Sequence, residues 1–233
     1  MRYVGSEPVK NRLLLELAEE NFGMLQPRLE RIVVSQRQIL YDTGDPFAKT
    51  YFVESGLVSL LAKSADGVTI DVGLIGCEGM LGIAYLFAQK SALLRNLALP
   101  PCTLLSIDSE FCKPILDNCA MIQPILNRFF RFLLDQTTHI AACSSAHRLQ
   151  QRLARWLLMA SDRLGVDVVP MTQEFLAATL GVRRGGLTIT AGELRGAGLI
   201  RYHHGEVTLL DREGLESVAC ECYRYNRISY AQV

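Results

Sequence analysis

The stretch from Thr172 to Asp211 constrains this chain more than any other. Thr172 is a helix-capping residue, and Gln173 and Glu174 suit the positive N-terminal end of the helix that would follow. Phe175, Leu176, Leu180 and Val182 give that helix its apolar anchors. Gly181 breaks it, where a tight turn needs a positive φ. A second helix restarts near Arg183 and carries Leu187, Ala191 and Leu194 at helical spacing until Gly198. Leu199 to Tyr202 and Glu206 to Leu210 then alternate as two short strands, with His203-His204-Gly205 as their turn. Helix, tight turn, helix and hairpin in that order predict a winged helix-turn-helix, a unit whose second helix lies in the major groove of double-stranded DNA.

Arg183, Arg184, Thr188 and Thr190 fall at or near the start of the second helix. An arginine fork offers two parallel hydrogen bonds to a guanine edge or a phosphate. Thr172 and Gln173 at the start of the first helix and His203 in the wing complete the expected DNA-binding set. Formal net charge is zero, but its distribution is uneven. Residues 1–110 hold 10 Lys/Arg against 13 Asp/Glu, whereas residues 147–205 hold 8 against 4. A local basic footprint therefore survives a neutral total.

At 233 residues the chain is long enough for one or two domains with a proper core. No apolar run approaches membrane-spanning length, and Met1 to Asn11 lacks a secretory apolar segment. The expectation is a cytoplasmic protein without a membrane partner, its seven cysteines reduced. Leu13, Leu14, Leu17 and Ala18 predict one N-terminal packing helix that ends at Gly23. From Leu29 to about Ile107 the pattern is one of short strands: Ile32–Val34, Gln38–Tyr41, Thr50–Val53, Leu57–Leu61, Val68–Val72 and Thr103–Ile107. Glycine-rich turns such as Gly44-Asp-Pro46, Ala65-Asp-Gly67 and Gly76-Cys-Glu-Gly79 separate them. Such spacing predicts a β-roll of jelly-roll type.

The run Gly44-Asp-Pro46, Tyr51-Phe-Val-Glu-Ser-Gly56-Leu-Val-Ser-Leu60 and Gly79-Met-Leu-Gly82 resembles the sensor domain of the Crp/Fnr family of bacterial transcription regulators. The resemblance continues through Gln151-Arg-Leu-Ala-Arg-Trp-Leu-Leu158 and the helix-turn-helix, and covers residues 12 to 225. It implies a homodimer with an effector-responsive β-roll, a long dimerisation helix and a DNA-binding winged helix, with RNA polymerase as a candidate partner. The family's cyclic-nucleotide binders place a glutamate after the second cassette glycine and an Arg-Ser or Arg-Thr pair about ten residues later. Here Ile83 follows Gly82, and Ala92-Leu93 stands where the pair would be. A buried phosphate needs a cation or aimed donors, and Arg95, the nearby cation, is out of register. Ile83, Tyr85, Leu86, Phe87, Leu93 and Leu94 make the region apolar instead. These departures argue against cyclic AMP. They leave an apolar ligand, a protein partner or no ligand as alternatives, so no effector residue is assigned.

The family's iron–sulfur sensors use several N-terminal cysteines, and none precedes Cys77 here, which argues against that cluster. The four histidines (139, 147, 203 and 204) all lie outside the β-roll, which argues against a histidine-ligated haem there. Cys220-Glu-Cys222 reads as two helical thiols that do not face each other, with a metal or redox role as the alternative, and Cys112, Cys119 and Cys143 read as helix-packing residues. No cofactor and no metal ligand is expected.

Ser109 predicts the cap of a short helix. From Met121 to Ala146 a long helix follows, with Pro124 in its first turn. Ile122, Leu126, Phe129, Leu133, Thr137 and Ile140 line one face. Ile125, Phe130 and Leu134 widen the apolar surface to a second, which a symmetry mate would cover. Cys143 to His147 is expected as the hinge. Between His147 and Leu164 an amphipathic helix is expected, with Arg148, Arg152 and Arg155 off its buried face, and one helix from Asp211 to about Tyr225 closes the chain. No His-Glu-x-x-His, phosphate loop, nucleophile elbow or dinucleotide fingerprint is present, which argues against an enzyme.

The expectation is an α+β chain: residues 1–118 as N-terminal helix and β-roll, 119–146 as dimerisation helix and hinge, and 147–233 as a winged helix-turn-helix domain. Its expected role is sequence-specific binding of near-palindromic operators as a homodimer. The alternative is a ligand- or redox-sensing module whose DNA binding is conditional on an unknown effector.

Overall fold

The computed structural model describes residues 1–63 and 69–233. The turn expected at Ala65-Asp-Gly67 lies outside the described residues. The chain forms two compact units: residues 1–60 and 75–133 with Val233, and residues 61–74 with 134–232.

The first unit opens with a hairpin of β1 (Tyr3–Val4) and β2 (Glu7–Pro8). Two short helices follow, α1 (Arg12–Glu16) and α2 (Glu19–Leu25), where one was expected. Leu17 and Ala18 adopt extended backbone that separates them, and Gly23 lies inside α2. Asn11 explains the position of α1. Its Oδ1 accepts from Leu14 N, while its buried Nδ2 donates to Val53 O at 2.9 Å and Gly79 O at 2.8 Å. One amide thus caps the helix and fixes it to the sheet, and no buried polar group of Asn11 is left without a partner.

The strands are β3 (Glu30–Val34), β4 (Ile39–Tyr41), β5 (Lys49–Ser55), β6 (Val58–Lys63), β7 (Thr69–Ile75), β8 (Met80–Leu81), β9 (Arg95–Ala98) and β10 (Cys102–Asp108). They form two four-stranded sheets, in the orders β3-β10-β5-β8 and β4-β9-β6-β7. The first is antiparallel throughout, with Leu105 opposite Phe52 and Arg31 and a register shift between Thr103 and Leu104. Phe52, Val53, Leu57, Met80, Leu81, Leu104 and Leu105 are buried between strands and helices. A short helix, α3 (Ile83–Leu86), follows Gly82, and α4 (Ser109–Asp117) follows β10. The cap of α4 is Asp108, which accepts from Glu110 N and Phe111 N. Ser109, expected as the cap, is buried instead and shares a hydrogen bond with Thr50 at 2.9 Å.

Helix α5 (Ile122–Ala146) runs on from this unit into the second. Ile122, Ile125, Leu126, Phe129 and Phe132 are buried, whereas Phe130 and Leu134 are 48% and 57% exposed. The second apolar face is therefore carried by Phe130 and Leu134, while Ile125 belongs to the core. The region expected to hinge, Cys143 to His147, stays helical to Ala146.

In the second unit α6 (Leu149–Leu164) is followed by β11 (Val168–Val169), α7 (Gln173–Thr179) and α8 (Arg184–Gly196). Next come β12 (Ile200–His203), β13 (Glu206–Leu209), α9 (Arg212–Val218) and α10 (Cys222–Tyr230). The wing is a three-stranded sheet, β11-β13-β12, one strand more than expected. Leu153, Trp156, Leu157, Leu176, Leu187, Leu194, Ile200 and Leu215 form its core. The closing helix is split: Ala219 is extended and Cys220 lies between α9 and α10. Arg155, expected outside the buried face of α6, is only 2% exposed.

Gly79 marks the tightest contact in the first unit. A Cβ there would sit 2.4 Å from the Phe129 ring, and the ring is fully buried. Gly79→Ala should lower unfolding stability by about 1–3 kcal/mol, the cost of overpacking a filled core. A denaturant titration checks this; an unchanged midpoint would contradict the packing described.

Candidate nucleic-acid interface

The helix-turn-helix is built as its residues dictate. Thr172 Oγ1 accepts from Phe175 N at 3.2 Å and so caps α7. Gly181 has φ 64°, the left-handed turn between α7 and α8. Arg183 is the extended N-cap of α8, and Arg184 its first residue. Leu187, Thr190, Ala191 and Leu194 are the buried side of α8. Thr190, expected to contact DNA, is therefore corrected to a core-facing position: it follows Leu187 by three residues, on the same face.

Arg183, Arg184, Gly185, Gly186, Thr188 and Ile189 are exposed, Ile189 by 67%. The hydroxyl of Thr188 lies 3.0 Å from both Gln173 Oε1 and Arg184 O. Gln173 is thereby tied across the two helices, and Thr188 is partly committed to the protein itself. A Cβ at Gly185 would meet nothing within 4 Å, so packing does not require glycine there. The first turn of α8 leaves backbone N–H groups next to Arg183 and Arg184, an arrangement suited to anions.

In the wing, His204 and Gly205 have φ 45° and 81°, the two positive values of a type I′ hairpin turn. His203 is exposed, its ring centroid 3.9 Å from that of His204. Tyr202 supports the wing, donating to Met171 O at 2.7 Å, and burial pushes its pKa up. Exposed Arg195 and Arg201 were not singled out in the sequence. Their signal was the α8 and β12 periodicity, which places them opposite the buried residues.

In the β-roll, Arg95 forms a two-pronged ion pair with Asp42, at 2.6 and 3.0 Å. Tyr41, Phe47 and Tyr51 form an edge-on aromatic cluster, with centroids 5.1 Å apart for Tyr41–Phe47 and 5.6 Å for Tyr41–Tyr51. A Cβ on Gly82 would lie 3.3 Å from the Tyr41 hydroxyl. Of the apolar residues read as a pocket, Phe87 and Leu93 are exposed at 47% and 69%, while Ile83 is buried.

A second convergence of reactive groups lies apart from α8. The donor atoms of Cys143, His147, Cys220 and Cys222 all fall within 4.8 Å of one another. The Cys220 contact pulls the Cys143 thiol below its ordinary range against the effect of burial, while that contact and burial push Cys220 up.

Residues 31–119 match the cyclic nucleotide-binding domain, and residues 151–218 match the Crp-like helix-turn-helix domain. The chain belongs to the Crp/Fnr family of transcription regulators. It is 27% identical over 209 residues to the transcriptional regulatory protein btr of Bordetella pertussis, covering 81% of both chains. To the transcriptional regulator SdrP of Thermus thermophilus it is 28% identical over 182 residues, covering 75% of this chain and 85% of that one. Among solved structures, the regulator CLP of Xanthomonas campestris has the same fold, with a TM-score of 0.70 at 19% identity, covering 83% of this chain and all of that one. A Crp/Fnr regulator of Eubacterium rectale gives 0.68 at 20% identity, covering 89% and 97%. The chain thus carries a cyclic nucleotide-binding-like domain followed by a DNA-binding helix-turn-helix domain.

Proposed function

We propose that this regulator binds near-palindromic operators as a homodimer through α8, without cyclic AMP as its effector. The observation that carries the reading is the exposed start of α8, where Arg183 and Arg184 open the helix ahead of exposed Thr188 and Ile189. Arginine at that place suits guanine edges and phosphates, and exposed Ile189 suits a thymine methyl. Phe130 and Leu134 give α5 an uncovered apolar stripe that a second copy would bury. Two copies of α8 would then address half-sites about one helical turn apart. Independence from cyclic AMP is supported by Arg95, which is engaged by Asp42, and by Ile83 and Leu93 where the family's nucleotide binders carry polar partners.

Arg184→Ala should weaken specific DNA binding by about 1–3 kcal/mol if the guanidinium reads a base. Fluorescence anisotropy on operator and random duplexes, at several salt concentrations, measures it. A uniform loss with a shallower salt slope would make Arg184 a phosphate contact; no loss would remove it from the interface. Leu134→Glu, at an exposed position, should leave the fold intact and shift sedimentation from dimer to monomer. An unchanged dimer would place the subunit contact elsewhere.

A further inference from the structure

We propose that Cys143, His147, Cys220 and Cys222 form a closed Cys3His site for one zinc-class divalent ion, which fastens the end of α5 to the start of α10. Nothing in this inference depends on DNA binding.

The backbone brings the four donors together from three places. Cys143 and His147 are one turn apart at the end of α5, where His147 N still donates to Cys143 O at 3.1 Å. Cys220 sits in the break after α9, and Cys222 is the first residue of α10. A continuous helix would point residues 220 and 222 apart; the break lets both thiols turn to the same point. All three cysteines are buried, at 0%, 3% and 3% exposure.

The spacing suits one ion. Cys143 Sγ and Cys220 Sγ are 3.4 Å apart, and Cys222 Sγ is 3.8 Å from His147 Nδ1. Tetrahedral zinc, with Zn–S near 2.3 Å and Zn–N near 2.0 Å, needs edges of about 3.5–3.8 Å between its ligands. Four protein donors leave no open position, which is the pattern of a structural rather than a catalytic zinc.

Two surrounding groups point to the same occupant. His147 Nε2 lies 3.2 Å from Glu221 Oε1, so Nε2–H donates to the carboxylate and the Nδ1 lone pair is left for the ion. A carboxylate behind a ligating imidazole orients the ring and raises its basicity. The second group is Arg155 of α6, 2% exposed and facing Cys143 and Cys220. Its Nη1 donates to Met159 Sδ at 3.1 Å, and its Nε has no hydrogen-bond partner. No carboxylate pairs with it among the described residues. A buried guanidinium calls for a negative neighbour. Three thiolates, a neutral imidazole and a divalent cation carry a net charge of −1, which matches it. Loading the ion displaces the thiol protons to solvent, so uptake releases protons.

The test uses the full-length protein purified with reductant and without chelator. Elemental analysis should give one zinc per chain, and a strong chelator should remove it and lower the melting temperature. Cobalt(II) added to the stripped protein should show tetrahedral ligand-field bands and thiolate-to-cobalt charge transfer of a size that counts three thiolates. Cys222→Ser should lose that spectrum, while Cys112→Ser, at a buried thiol elsewhere, should keep it. Should Cys222→Ser fail to fold, exposed Glu221→Gln should still fold and bind zinc about 10–100-fold more weakly in chelator competition. Three free thiols with no zinc or cobalt uptake would overturn the proposal. So would a Cys143–Cys220 disulfide in reductant-treated protein, or an iron–sulfur chromophore in place of zinc.

Discussion

A buried amide, Gln136, holds together the part of the chain that carries the helix-turn-helix. Its Oε1 accepts from Leu74 N at 3.0 Å and from Arg163 at 3.1 Å, and its Nε2 donates to Leu74 O at 3.2 Å. Arg163 adds bonds to Leu74 O and Met159 O and lies over the Tyr230 ring. One side chain on α5 thus binds the end of β7, and through Arg163 binds α6 and reaches α10. Each of these polar groups is buried, so separating any of the elements would leave donors and acceptors without partners. β7 also reaches the DNA-binding part: a Cβ on Gly181, in the turn before α8, would lie 3.4 Å from Ile70.

That framework leaves α8 with one side for the protein and one for a partner. Leu187, Thr190, Ala191 and Leu194 are spent on the core, and Arg152 reaches the C-terminal carbonyl of α7 at Leu180. What remains exposed at the start of α8 is chemically simple: two arginines, two glycines without side chains, a threonine and an isoleucine. Because Gly185 and Gly186 contribute no side-chain contacts, any sequence preference there must come from the arginines, Thr188 and Ile189. The ion site proposed at the end of α5 would add a covalent-strength fixture to the same framework.

Much of this was legible in the sequence where period and breaker agreed. Gly181 between two apolar repeats, and His204-Gly205 between two alternating runs, each demanded a positive φ, and both have one. The β-roll strands stood out because glycine-rich turns separated them. What stayed hidden had no such punctuation. Leu17-Ala18 and Ala219-Cys220-Glu221 contain neither glycine nor proline, so their helix breaks could not be read, and the convergence of Cys220 and Cys222 was lost with the second. β9 is short and begins Arg95-Asn96, so it lacked a strand pattern. Arg155 looked solvent-facing because charge normally marks a surface; its burial beside thiols is a tertiary fact. Thr190 shows the reverse error, a polar residue near the right end of the right helix but on its inner face.

The central proposal is that this chain reads DNA sequence as a dimer without cyclic AMP. Selection of bound fragments from genomic DNA, with purified ligand-free protein at near-physiological salt, tests it most directly. The account predicts enrichment of one near-palindrome whose half-site centres lie about one helical turn apart. A folded dimer that enriches a sequence only when cyclic AMP is added would contradict it.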